Sequence, residues 1–379
     1  MRRIIFLSLI CLIGLAPALP AQEKRSSITI PVVVHILYSD ATSRVTEERV
    51  HDQIEALNRD FNAENVELAQ LPDYFKQVAG NASISFQLAK TDPGGNSTSG
   101  IVYKATGIGV FSTDNRIKFS NKGGDDAWPR DHYLNIWVGN LIGGISGYTS
   151  SPDDAAELDG IVLNRSVFGN GINNPEHNMG RIAVHEAGHW LGLKHIWGDS
   201  YCGDDGIDDT PKQKSYHLGC PQGQIFSCEG NTTGDMYMNY MDRTNDHCMS
   251  LFTRGQVARM RSLFEPGQLR HPLLSSGGLV NDGTPIEPGW QADKVQPVVA
   301  TIGMKAYPVP ANDVLKITIT GKDQAALKDL TIFNMMGQPV MVAQMKGGTA
   351  QLDVSRLQKG QYVVKGDQPG VRPLIFTKL

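Results

Sequence analysis

Long apolar runs are nearly missing from these 379 residues. Past residue 21, nothing approaches the ~20 apolar residues that a bilayer-spanning helix needs, so no transmembrane segment is expected. Excess charge of one sign is missing too, with a formal net charge of -4. A nucleic-acid partner calls for a basic face, and none is implied. There is no internal repeat and no low-complexity tract. Cysteine is scarce, at five residues. Forty per cent hydrophobic and twenty per cent charged residues suit a soluble globular chain, and the length allows two domains. Forty glycines point to many loops and a partly β architecture.

The one apolar run opens the chain, MRRIIFLSLICLIGLAPALPAQ. Arg2 and Arg3 form a basic start, residues 4–15 an apolar stretch, and Ala18 or Ala21 a cleavage site. This reads as a secretory signal peptide over residues 1–21. Export through the periplasm to the medium or the outer-membrane surface is therefore expected. Cys11 leaves with that peptide, and Ile10 before it argues against a lipid anchor. Four cysteines remain: Cys202, Cys220, Cys228 and Cys248. In an exported protein an even number favours two disulfides, with three pairings open.

After a short polar piece, residues 22–27, ITIPVVVHILY is rich in β-branched residues and reads as a strand. Residues 46–62 have helical spacing, with Val50, Ile54, Leu57 and Phe61 on one stripe and Thr46 as N-cap. ASISFQLA (82–89) and LNIWVGNL (134–141) alternate as half-buried strands, and LDGIVLNRSVF (158–168) is another strand. Helical spacing returns over 181–191 and 253–264. This order predicts an α/β or α+β domain over residues 28–272. GGLVNDGTPIEPGW marks a linker, residues 273–300. Short strands separated by turn residues then predict a small all-β sandwich over 301–379.

The chemistry concentrates in VHEAGHWLGLKH. On a helix, His185 and His189 are four residues apart and share a face. Gly192 can turn the chain sharply and bring His195 back as a third ligand. Three neutral imidazoles would hold zinc and leave a position for water, as catalytic rather than structural sites do. Glu186 would then take the proton of that water as it attacks a carbonyl. The competing class is a surface-attached binding protein with a vestigial metal site; the presence of Glu186 argues against it.

HEAGHWLGLKH resembles the zinc signature of the metzincin metalloproteases. The run Trp190-Leu191-Gly192-Leu193, with NYMDRTNDHCMSLFTRGQ further on, narrows the resemblance to the pappalysin family and its ulilysin-like members. That resemblance implies a secreted zinc endopeptidase acting on proteins or peptides. It gives Met241 the role of the methionine beneath the zinc. Where relatives usually carry a tyrosine two residues later, this chain has Arg243, which can face a developing oxyanion or point to solvent. Asp246 matches a position at the floor of the pocket for the residue after the cut, implying cleavage before Arg or Lys. The family framework implies the pairs Cys202–Cys228 and Cys220–Cys248. Asp205, Asp209 and Thr210 match a family calcium pattern, the alternative being a solvated acidic loop. AYPVPANDVLKITI, LQKGQYVVKG and the terminal LIFTKL resemble a type IX secretion sorting domain, which makes that secretion machinery a partner. An accessory binding module of the same form is the other reading.

Overall fold

β1 (Ile28–Tyr38) is buried along nearly its whole length and forms the spine of the larger unit. The computed structural model describes residues 26–280, 302–321, 328–334, 339–366 and 374–379. The expected signal peptide and most of the expected linker lie outside those residues. One edge of β1 pairs in parallel with β3 (Ile84–Leu88) along its first half and β4 (Ile101–Ala105) along its second. Its other edge pairs in parallel with β5 (Leu134–Gly139). β7 (Ile161–Asn164) follows in parallel, and the antiparallel β6 (Gly147–Thr149) closes that side, in the order β3-β1-β5-β7-β6. β2 (Ala79–Gly80) and β8 (Phe252–Thr253) make a separate two-stranded pair.

β5 corrects an expectation. All six of its residues are buried, not half of them. A parallel strand between two others is covered on both faces, so alternation in LNIWVG is not a solvent signal.

The helices lie where the apolar spacing puts them. α1 (Glu47–Phe61) is capped by the Thr46 hydroxyl, which accepts from the Arg49 amide at 3.3 Å. A short α2 (Asp73–Val78) follows, then α3 (Arg181–Trp190) and α4 (Arg254–Ser262). α1 and α3 cover one face of the sheet through a shared core that includes Leu57, Phe61, Val184 and Ala187. Packing on this unit continues past residue 272. The Lys90 amide donates to the Gly278 carbonyl at 2.8 Å, and the Ser276 hydroxyl to the His132 carbonyl at 2.8 Å.

The C-terminal unit is the expected β-sandwich. β9 (Ile302–Tyr307), β10 (Val314–Gly321) and β13 (Thr349–Asp353) form one antiparallel sheet. β11 (Asp329–Asn334), β12 (Pro339–Gln344), β14 (Gly360–Gly366) and β15 (Leu374–Lys378) form the other. Ile317, Leu330, Val364 and Phe376 belong to its own core.

Both ends of α3 are fixed by buried charge. At its start Arg181 donates to Asp60 at 3.1 Å and to Glu67 at 2.8 Å. At its end Arg270 donates to both Asp159 oxygens at 2.9 Å and lies 3.7 Å from the centre of the Trp190 ring. The Trp190 indole donates to the same carboxylate at 2.7 Å. Asp159→Ala would leave the Arg270 cation buried without its counter-charge. Denaturant unfolding should show a loss of about 3–5 kcal/mol, the cost of breaking a buried pair by removing one partner.

Candidate metal centre

α3 begins after Gly180, whose φ of 73° suits glycine, and ends in a turn that the sequence spells out. Gly192 has φ 81°; its amide donates to the His189 carbonyl at 2.8 Å, and the Leu193 amide to Gly188 at 3.0 Å. That paired bonding reverses the chain at once. The Ile196 amide then reaches the Met241 carbonyl at 3.2 Å, which brings His195 back over the helix. Met241 is fully buried beneath α3. A Cβ on Gly188 would stand 2.5 Å from its sulfur, so the helix needs glycine there to settle on the methionine.

The three histidines converge. One ring nitrogen from each of His185, His189 and His195 lies within 4.8 Å of the others, and the Nε2 atoms of His185 and His189 are 3.1 Å apart. Each Nδ1 faces an oxygen: the Tyr240 carbonyl at 2.7 Å, the Leu193 carbonyl at 2.8 Å and the Asp199 carboxylate at 2.5 Å. Those acceptors put the ring proton on Nδ1 and leave the lone pair on Nε2. Burial holds all three histidines below their ordinary pKa, so they stay neutral. Three nitrogens ~2.1 Å from one zinc ion would be roughly 3.4 Å apart. The donor set therefore fits zinc.

Glu186 is almost fully buried beside them, and burial raises its pKa above the usual carboxylate value. The Thr149 hydroxyl donates to its Oε2 at 2.6 Å. Both residues open into a cleft of about 670 Å³ together with the three histidines. Edge strand β6 and the Gly143–Gly144 loop bound one side of it; Arg243, Thr244 and Met249 bound the other.

Arg243 stands in this cleft rather than in bulk solvent. Its guanidinium carbon lies 5.6 Å from the Trp197 ring centre and 5.4 Å from that of Tyr216. Trp197 in turn stacks on His195, with ring centres 4.2 Å apart. No carboxylate pairs with the Arg243 side chain among the described residues.

Asp246 does not line the cleft. It is fully buried, and its Oδ2 accepts from the Met179 amide at 2.8 Å and the Arg181 amide at 3.2 Å, at the start of α3. Between it and the cleft stands His177, whose Nδ1 is 3.2 Å from Asp246 Oδ1.

The acidic loop divides. Asp205 accepts from the Thr210 hydroxyl at 2.8 Å, and both line a second, smaller pocket with Asp204 and Asp208. Asp205 Oδ2 is buried there without a partner. Asp209 turns away: it accepts from the Thr253 hydroxyl and from the Gly255 amide at 2.8 Å, at the start of α4. The disulfides are Cys202–Cys228 and Cys220–Cys248, with Cα atoms 5.9 and 5.6 Å apart. The second ties the segment after Met241 to the loop that carries Leu218 to the cleft rim.

Sequence reasoning passed over Thr149, Asp199 and His177. Asp199 lies four residues after His195 and could have been suspected from that spacing. Thr149 and His177 reach the site from distant segments and left no local signal.

Three imidazoles and a buried carboxylate in an open cleft define a metal-dependent hydrolase centre of the metzincin kind. Comparison with known proteins makes the assignment specific. Residues 119–265 match the peptidase family model described as pregnancy-associated plasma protein-A, and residues 305–369 match the secretion system C-terminal sorting domain. An extracellular metalloprotease of Verticillium alfalfae is 30% identical over 276 residues, spanning 66% of this chain and 84% of the relative. One from Colletotrichum graminicola is 32% identical, spanning 67% and 79%. The solved structure of mature mirolysin from Tannerella forsythia, in complex with a cleaved peptide, is 44% identical. It spans 66% of this chain and 96% of that one, with a TM-score of 0.64. The chain belongs to the pregnancy-associated plasma protein-A family of peptidases. It is a secreted zinc metalloendopeptidase with a C-terminal sorting domain. Among the described residues, no helix is long and apolar enough to cross a membrane.

Proposed function

We propose that this chain cuts peptide bonds on the N-terminal side of Arg and Lys, with Glu186 as the general base. The observation that carries the mechanism is the Glu186 carboxylate beside three convergent Nε2 lone pairs, in a cleft bounded by an unpaired strand edge. His185, His189 and His195 would hold zinc, which when bound acidifies water and polarises a carbonyl. Among the described residues β6 pairs only with β7, so its other edge can take an extended peptide as a further strand. Glu186 takes a proton from the attacking water and passes it to the departing amine. Thr149 holds that carboxylate in place, and its raised pKa suits both halves of the transfer. Arg243, which forms no salt bridge among the described residues, donates to the oxygen on which negative charge develops. The C-terminal sandwich hands the enzyme to type IX secretion machinery after a signal peptide has taken it to the periplasm.

Peptide turnover and zinc content, measured together, test these roles. Glu186→Ala should keep zinc and lose at least ~100-fold in kcat, the range for a positioned acid–base group. Arg243→Ala should lower kcat more than it raises KM. Near-normal turnover in the first variant would remove Glu186 from the chemistry; a change in KM alone in the second would make Arg243 a binding group.

The orphaned Asp205 oxygen supports calcium in the second pocket, with Asp205 and Thr210 as ligands and Asp209 as a brace to α4. Burial raises the Asp205 pKa to about 6. Without calcium, the folded chain then holds a proton that the unfolded chain releases near pH 4, so stability falls as pH rises from 4 to 6. Calcium needs the ionised carboxylate, so its stabilising effect should be full at pH 7–8 and fade below about pH 6. Melting temperatures with calcium and with chelator across that range check this. A calcium shift that is equal at pH 5 and pH 8 would exclude Asp205 as a ligand.

A further inference from the structure

We infer that His177 is the residue that reads the substrate side chain after the cut, presenting the charge of Asp246 to it. The inference rests on the Arg and Lys preference proposed above and assigns the reading to a different residue.

Asp246 cannot make the contact as it stands. Its side chain has no exposure; Oδ2 accepts the Met179 and Arg181 amides at the start of α3, and Oδ1 faces the His177 ring. His177 stands in front of it, with its side chain 20% exposed and lining the cleft. Ile182 lines the same cleft from the first turn of α3, one turn before His185. Met249 and Thr244 face it from the segment after Met241. Apolar walls of Ile182 and Met249 thus share the cleft with the metal ligands and the imidazole of His177.

The chemistry of that imidazole follows from its partner. A carboxylate at Nδ1 fixes the ring proton there, which leaves Nε2 as an acceptor. Nε2 has no hydrogen-bond partner among the described residues. An acceptor with an anion directly behind it suits the N–H groups of a guanidinium or an ammonium. It offers nothing to an aliphatic side chain and repels a carboxylate. Asp246 polarises the ring and holds it in place; His177 touches the substrate. An arginine or lysine stem fits the apolar walls while its head reaches the ring.

The test compares kcat/KM on paired peptides that differ only in the residue after the cut, arginine against norleucine. It is run on the zinc-loaded wild type, His177→Leu and His177→Gln. Zinc content and melting temperature are checked in each. Wild type should favour arginine. His177→Leu should lose about tenfold or more of that ratio, the scale of one hydrogen bond to a charged group. The norleucine peptide, whose side chain gains nothing from that hydrogen bond, supplies the reference turnover within each variant. His177→Gln should keep much of the preference, because one amide can donate to Asp246 and accept from the substrate. A wild type that prefers norleucine overturns the specificity reading itself. An arginine preference that survives intact in folded, zinc-loaded His177→Leu overturns the inference alone. If His177→Leu does not fold, His177→Gln decides: a ratio as low as that for an unselective pocket overturns the inference, and a retained ratio supports it.

Discussion

Two imidazole nitrogens that both carry lone pairs repel one another at 3.1 Å unless a cation lies between them. His185 and His189 stand in that relation because backbone carbonyls hold their Nδ1 protons on the far sides. This is the constraint on which the rest of the site depends. It demands a rigid α3, an abrupt end at Gly192 and a return path that brings His195 over the same face. Each demand has a visible source. Arg181 and Arg270 fix the two ends of the helix through buried carboxylates. Met241 supports its middle, where Gly188 leaves room for the sulfur. The third ligand is oriented differently, by the Asp199 carboxylate and the face of Trp197. A carboxylate behind a ligating histidine raises its basicity, so His195 should be the strongest donor of the three.

Several carboxylates prominent in the sequence turn out to hold helices rather than ions or substrates. Asp246 accepts two amides at the start of α3, and Asp209 does the same kind of work at α4. Anions at helix N-termini satisfy donors that have no partner within the helix. A motif position can therefore be essential to a site without touching what the site binds. Asp246 orders the first turn of the helix that carries the metal ligands. Its charge reaches the cleft only through His177.

The legible parts of the chain were those whose physics is local. β1 is a run of β-branched residues, α1 carries its own cap, and the end of α3 is written in Gly192. The sandwich was legible from its repeated short strands. β4 and β6 were missed. Each is short and lies at an edge, and each is a strand only because a neighbour offers a ladder. The strand at β5 follows from its pattern but its full burial does not, because its second face is closed by the irregular segment 111–128, where Phe111, Ile117 and Trp128 pack over Asn135, Trp137 and Gly139. Thr149, His177 and the burial of Asp246 come from contacts across 37, 69 and 65 residues, which no local pattern carries.

Three neutral histidines, two on α3 and one just past the Gly192 reversal, should hold a single zinc ion. Elemental analysis of purified wild type, beside His195→Ala with its fold checked by circular dichroism, tests this most directly. One zinc per wild-type chain at the histidine site is expected, with a variant that keeps its fold but loses the metal to a mild chelator. Equal retention of zinc by both proteins would contradict it.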